Sequence, residues 1–220
     1  MHGRKLASGI VGQINSPLDG ALRYSGLMLL HADNGSKHYD YLCQVKAGLD
    51  RIADITASLL CVGKPAYARQ AGHPAIDLHN LLNDSLDVFG HSFKNSVRAI
   101  ANYQGSLAVR MDKSILHVFT NIIKNALDAM PDGGELEIST EVKQAGLQIN
   151  FRDTGIGMSQ EQQARIFEPF FTTKPKGSGS GLGLAICREI VAKYGGRIGV
   201  KSSPGNGAIF TILFPKDILA

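Results

Sequence analysis

Asp153-Thr-Gly-Ile-Gly-Met158 follows directly on Leu147 to Arg152, a run in which apolar and polar residues alternate. Alternation with period two predicts a strand. The Asp153 carboxylate therefore stands at a strand end, where it can accept a hydrogen bond from an exocyclic amine. Gly155 and Gly157 let backbone pass close to a flat ring. The same six residues also suit an ordinary Asp-Gly turn, so the choice depends on what lies to either side.

Upstream stands Asn121-Ile-Ile-Lys-Asn-Ala-Leu-Asp-Ala129. The spacing predicts a helix from about Asp112 to Met130, with Ile115, Phe119, Ile122, Ile123, Ala126 and Leu127 on its apolar side. Asn121 and Asn125 are four apart and share one face. Asparagine is a poor helix former. Its neutral carbonyl oxygen suits a Mg2+ already held by phosphates, because that ion keeps most of its waters. A pair of solvated asparagines is the plainer alternative.

Downstream, Ile166-Phe-Glu-Pro-Phe-Phe-Thr-Thr-Lys174 places three phenylalanines within five residues and runs into a glycine-rich stretch. This reads as the anchor of a mobile lid, although Phe167 and Phe170 also suit plain packing. Gly177-Ser-Gly-Ser-Gly-Leu-Gly-Leu184 then enters a helix predicted over about Leu182 to Tyr194. Free N–H groups at a helix start make a phosphate site, and Lys174 and Lys176 add charge. A flexible Gly/Ser linker would not lead straight into an amphipathic helix.

The remaining pattern builds a domain around these segments. A helix is expected from about Leu78 to Phe89, capped by Asp77. Strands are expected near Val97 to Asn102, Glu135 to Val142, Arg197 to Lys201 and Gly207 to Phe214. Helices and strands mixed in this way indicate a two-layer α+β sandwich over residues 75–220. Residues 63–74, with two prolines and two glycines, read as a linker. Residues 1–62 read as a helical hairpin. Leu6, Ile10, Ile14, Leu18 and Leu22 recur at spacing four, then Asp33-Asn-Gly-Ser36 breaks the pattern, then Val45, Leu49, Ile52, Ile55 and Leu59 form a second seam. Two helices cannot bury both stripes, and a second copy forming a four-helix bundle would do so.

Composition narrows the class. Hydrophobic residues are 44% and charged residues 19% of the 220, enough for a core and too ordered a balance for a disordered chain. No apolar run approaches the roughly 18 residues of a bilayer span, and no apolar region follows the N-terminal basic residues as a signal peptide requires. Cys43, Cys61 and Cys187 form neither a disulfide framework nor a metal spacing. A reducing cytoplasmic setting is the expectation. The net charge of +4 is diffuse and does not predict nucleic-acid binding. Of 25 glycines, 14 lie between Gly133 and Gly207, which points to that region as the functional one.

Taken in order, the four segments resemble the N, G1, F and G2 boxes of the ATP-binding domain of sensor histidine kinases, in the wider family shared with gyrase, Hsp90 and MutL. The resemblance covers about Ala75 to Pro215. It implies a Bergerat-type fold, ATP and Mg2+ as cofactors, and Asn121 and Asn125 as metal ligands. It also implies that Asp153 binds the adenine amine and that Gly155 and Gly157 shape the adenine pocket. The lid runs from Thr172 through Thr173 and Lys174 to Ser180, anchored by Phe167. Gly181, Leu182, Gly183 and Leu184 lie where phosphates are received. Two departures stand out. Gyrase- and Hsp90-type ATPases carry a glutamate before the second asparagine as the base for water attack, and this chain has Lys124. Lysine cannot serve as that base at neutral pH, so phosphoryl transfer rather than hydrolysis is implied. The closing strand begins Gly207-Ala208 where Gly-Thr is usual, which removes one hydroxyl.

Residues 1–62 resemble the dimerisation and phosphoacceptor hairpin of the same kinases. Ile14, Asn15, Pro17 and Leu18 match the pattern His-Glu-Ile-Asn-Asn-Pro-Leu, but Gly12 stands at the histidine and Gln13 at the neighbouring acid. Glycine has no nucleophile and glutamine takes no proton. His31 and His38 flank the hairpin turn and read as surface residues. The resemblance implies a homodimer and a response regulator receiver domain as partner. It leaves three readings open: a kinase that phosphorylates a histidine on another chain, a nucleotide-binding pseudokinase that regulates a partner, and substitutions engineered at positions 12 and 13.

Overall fold

The computed structural model describes residues 75–90, 97–174 and 181–220, together with scattered positions between 20 and 52. Gly12, Gln13, Pro17, the predicted linker, Lys176 and Ser180 lie outside the described residues. The chain divides into two compact units, Met1–Lys64 with Glu168–Ile186, and Pro65–Phe167 with Cys187–Ala220.

Elements follow in the order β1 (Ala75–Asp77), α1 (Leu78–Asp87), β2 (Val97–Asn102), β3 (Ala108–Arg110), α2 (Ser114–Asp128), β4 (Gly134–Lys143) and β5 (Gly146–Asp153). They continue with α3 (Gln160–Arg165), α4 (Gly183–Lys193), β6 (Arg197–Ser202), β7 (Ala208–Phe214) and a 3-10 turn at Lys216–Ile218. Five strands form a mixed sheet in the order β2-β4-β5-β7-β6. The β2–β4 pair is parallel and the other three are antiparallel. The parallel pair follows from connectivity, because β3 and α2 lie between β2 and β4 and supply the crossover that a parallel neighbour needs. β1 and β3 pair separately, and the chain's last residues return to them through the Ala220 N–H, which donates to the Ala108 carbonyl at 2.9 Å.

Period-two alternation buries one face of the sheet. Leu136 and Ile138 of β4, Leu147, Ile149 and Phe151 of β5, and Phe210, Ile212 and Phe214 of β7 are all buried. Helix α2 covers that face with Ile115, Val118, Phe119, Ile122, Ile123 and Ala126. The Phe119 and Phe151 rings lie 5.8 Å apart, centroid to centroid. Val118, absent from the predicted stripe, is buried, and Leu127 is only half-buried.

The predicted helices and strands recur within one or two residues at most ends. Three short elements were not expected: β1, β3 and α3. Helix α3 buries none of its side chains, so no apolar period marked it. Its signal was chemical. Ser159 Oγ accepts from the Gln162 N–H and Gln162 Oε1 accepts from the Ser159 N–H, a complete capping box.

In the first unit, positions 20–21, 24–28, 37–39, 41–42, 45, 48–49 and 52 are helical. The Ser36 N–H donates to the Asp33 carbonyl at 3.0 Å, and Ser36 Oγ accepts from the Tyr39 N–H at 3.1 Å. Ser36 thus caps the helical residues that follow.

Candidate functional site

Asp153 ends β5, held between β4 and β7 by register pairs Leu136↔Asp153 and Asp153↔Ala208. It is 4% exposed. Its Oδ1 accepts from the Gly155 N–H at 2.9 Å and the Ala208 N–H at 3.1 Å. Oδ2 has no hydrogen-bond partner among the described residues. One oxygen therefore fixes the carboxylate while the other is left to accept. Burial pushes the carboxyl above its ordinary value, and the backbone N–H groups of Gly155, Ala208 and Asp153 itself only partly offset this.

The loop after Asp153 is knitted to two other elements. The Ile156 N–H donates to the Ala129 carbonyl at 3.0 Å, which fastens the loop to the C-terminal end of α2. A Cβ on Gly155 would stand 2.5 Å from that carbonyl oxygen. On the other side, the Gly207 N–H donates to the Gly155 carbonyl at 2.9 Å and the Gly205 N–H to the Ile156 carbonyl at 2.8 Å. Gly157 has φ +67, and a Cβ there would lie 2.0 Å from the Ser203 carbonyl oxygen. Both glycines are thus demanded by close approach of the protein's own backbone. Backbone, rather than the flat ring of a ligand, is what each glycine accommodates here.

Three residues that sequence reasoning missed hold this loop. Ser202 Oγ accepts from the Met158 N–H at 2.8 Å and donates to the Gly207 carbonyl at 2.6 Å. The Gln163 amide of α3 accepts from the Ser202 N–H at 3.1 Å and donates to the Ser202 carbonyl at 2.9 Å. Thr154 Oγ1 accepts from the Glu135 N–H at 3.0 Å. Only the capping box before Gln163 offered a sequence signal.

Helix α2 brings the asparagines to the same place. Asn125 lies one turn before Ala129, the residue bonded to the loop, and its carbonyl accepts the Ala129 N–H at 3.1 Å. Asn121 and Asn125 are both half-buried, which removes the reading of a fully solvated pair. Asn121 Nδ2 meets His117 Nε2 at 3.2 Å, and Asn121 Oδ1 has no hydrogen-bond partner among the described residues. Lys124 is exposed. No group of three or more His, Cys, Asp and Glu side chains that could hold a metal ion occurs among the described residues. The donor set is therefore neutral amide oxygen, which fits a Mg2+ brought in by phosphates better than one caged by protein.

The F and G2 segments are described within the other unit from Glu168 onward; of the two F-segment residues before it, Ile166 is buried and Phe167 half-buried. Phe170 is 74% exposed and takes φ +67, so it is not the packing residue its composition suggested. The Phe170 N–H donates to the Gly181 carbonyl at 2.9 Å. Gly181 has φ +69 and leaves no room for a Cβ against the Phe170 backbone. Thr172 and Thr173 are exposed, and Thr172 Oγ1 accepts from the Lys174 N–H at 3.2 Å. Leu182 is buried, and its carbonyl accepts the Ile186 N–H at 2.9 Å as α4 begins; Gly183 and Leu184 are half-buried in the first turn. That turn carries no acidic residue.

This arrangement, an acid at a strand end tied to a glycine loop and to an asparagine-bearing helix, coincides with a family profile. Residues 110–218 match the "Histidine kinase-, DNA gyrase B-, and HSP90-like ATPase" domain. The domain belongs to that ATPase family. The chain is similar to the catalytic, ATP-binding core of sensor histidine kinases.

The chain is 29% identical over 214 residues to Sporulation kinase C of Bacillus subtilis, covering 96% of this chain and 48% of that protein. It is 31% identical over 217 residues to Sensor histidine kinase ZraS of Escherichia coli K12, covering 97% and 45%. The chain thus spans about half the length of these curated relatives. The structure of the mycobacterial sensor histidine kinase MprB superposes with a TM-score of 0.57 at 26% identity, covering 65% of this chain and 97% of that one. Full-length ShkA in complex with AMPPNP aligns with a TM-score of 0.71 at 21% identity, covering 98% and 46%. Histidine kinase ThkA in complex with the response regulator TrrA gives 0.63 at 22%, covering 97% and 64%. These last two likenesses concern the fold alone.

Proposed function

We propose that this chain is a two-component histidine kinase core that binds Mg-ATP for phosphoryl transfer to a histidine supplied by another chain. The observation that carries the proposal is Asp153, whose Oδ1 is consumed by two backbone N–H groups while Oδ2 remains to accept the adenine amine. Gly155 and Gly157 shape the adenine pocket through their backbone path. Asn121 and Asn125 offer carbonyl oxygens to Mg2+, which neutralises phosphate charge when bound. Gly181 and Gly183, at the start of α4, take phosphates, and Thr172 to Ser180 form the lid. Lys124, in place of a glutamate base, disfavours attack by water.

Self-phosphorylation is not expected, because Gly12 and Gln13 replace the acceptor and its neighbouring acid. A homodimer through residues 1–62 is supported by exposed Tyr24, Met28, Val45 and Ile52 along the hairpin. A receiver domain is the proposed downstream partner and the cytoplasm the proposed location. No helix among the described residues is long and apolar enough to cross a membrane.

Incubation with γ-labelled ATP and Mg2+, alone and with a histidine-bearing hairpin of a related kinase, tests this. Acid-labile label on the added hairpin alone is the expected result. Label on this chain sinks the acceptor assignment. The pseudokinase reading, favoured by the same two substitutions, predicts nucleotide binding by titration with no label on either chain.

A further inference from the structure

His117, Asn121 and Asn125 fall at successive four-residue steps on α2 and so share one helical face, each about 6 Å along the axis from the next. His117 is half-buried, and its Nε2 lies 3.2 Å from Asn121 Nδ2. An amide nitrogen only donates, so Nε2 is the acceptor and the imidazole carries its proton on Nδ1. The bond chooses between the two ways an amide can be turned. With Nδ2 given to His117, Oδ1 of Asn121 points elsewhere, and among the described residues nothing takes it up.

We propose that His117 is the positioning residue for the metal-binding amide of Asn121, fixing which of its two ends faces Mg2+. The inference rests on the proposal that Asn121 and Asn125 are the metal ligands. An asparagine without this partner is free to present its NH2 group to the cation, which repels it. Groups that orient a metal ligand typically change metal affinity 10- to 100-fold when removed. His117 touches neither metal nor nucleotide in this scheme, so its influence on the metal passes through Asn121.

The proposal predicts a split between metal-dependent and metal-free binding. AMPPNP affinity is measured by titration calorimetry with and without Mg2+ on the parent chain, His117→Leu and His117→Gln. His117→Leu, which removes the acceptor, is expected to lose about 10-fold or more in Mg2+ while its Mg2+-free affinity stays at the parent value. His117→Gln, whose Oε1 accepts from the same amide, is expected to recover most of the loss. Equal affinity of His117→Leu and parent in Mg2+ overturns the proposal. So does an equal loss with and without Mg2+, which marks a structural role only.

A second readout needs no nucleotide. Nitrogen chemical shifts of His117 in the free parent chain at pH 8 are expected to show the Nδ1–H tautomer. The Nε2–H tautomer overturns the proposal outright, since that nitrogen then cannot accept. Should the parent bind AMPPNP equally well with and without Mg2+, the metal reading of the asparagines fails and takes this inference with it. A Mg2+-dependent parent with an unchanged His117→Leu variant removes this inference alone.

Discussion

Asp153 is paired to its surroundings through one oxygen, and that division makes fold and binding separable. Asp153→Asn keeps Oδ1 for the Gly155 and Ala208 N–H groups but puts a donor where Oδ2 stood, facing the donor of adenine. Nucleotide affinity is expected to drop roughly 10- to 150-fold, the effect of about 1.5–3 kcal/mol for a hydrogen bond to a charged group. The melting temperature is expected to hold or rise, because a buried charge has been removed. Calorimetry and thermal unfolding on one sample check both. The pH dependence has the same origin. The folded carboxyl titrates above its unfolded value, so protonation favours the fold. Its stabilising contribution is fullest below the unfolded value near 4 and is lost as pH rises through the raised folded value. Nucleotide affinity runs oppositely and weakens as pH falls through that raised value. A flat affinity profile from pH 7 to pH 4 contradicts the assignment of Asp153 to adenine.

Among the elements, α2 is held at both ends by different chemistry. Its C-terminal end is fastened to the loop after β5, as described. At its N-terminal end Asp112 Oδ1, just before the helix, accepts from the Ser114 N–H at 2.8 Å, while Asp112 Oδ2 meets Lys193 Nζ of α4 at 2.5 Å. Tyr194 Oη accepts from the Asp112 N–H at 3.1 Å. Burial alone would raise the Asp112 carboxyl, but Lys193, Ser114 and Tyr194 hold it well below the carboxylate range. This tie is therefore present above the unfolded carboxylate value and persists far into acid. Lys193→Met is expected to cost about 1 kcal/mol, since both side chains are about 30% exposed and solvent screens the pair. That corresponds to roughly 2–4 °C in melting temperature, with nucleotide affinity unchanged. Gly157→Ala and Gly199→Ala form a contrast. The first meets Ser203 and a positive φ and is expected to lower the melting temperature by several degrees, whereas the second has open space around it and is expected to be neutral.

The same elements explain how far the sequence could be read. Long periodic segments such as α2 and β5 were legible because burial imposes a period on them. Helix α3 buries nothing and β1 and β3 are three residues each, so no period marked them. In the candidate site, the sequence singled out Asp153, Asn121 and Asn125 by their fixed order, and the structure places them on one strand end and the helix fastened to its loop. His117, Gln163 and Ser202 act through contacts with residues near the motif, and of these only His117 shared its spacing. The glycines were found for a reason the structure replaces: backbone meets backbone at Gly155 and Gly157.

At the scale of the whole chain, the separate fates of the ATP motifs and the acceptor motif make a strong prediction. The double substitution Gly12→His with Gln13→Glu is expected to produce acid-labile label on this chain in γ-labelled ATP, where the parent shows none. Failure in a folded variant with parent-like nucleotide affinity means that more than the acceptor pair has been lost from the transfer geometry. Strand order carries a consequence of another kind. β7 is the last strand in sequence, yet it lies between β5 and β6 in the sheet, and its first N–H holds Asp153. On the ribosome, β4, β5 and α2 emerge well before it. Until residues 208–214 have left the exit tunnel, Asp153 lacks one of its two anchors and β5 has an open edge. If Asp153 is the adenine acceptor proposed above, nucleotide has no finished site in an unfinished chain, and a truncated product ending before Ala208 is expected to show no ATP binding by titration.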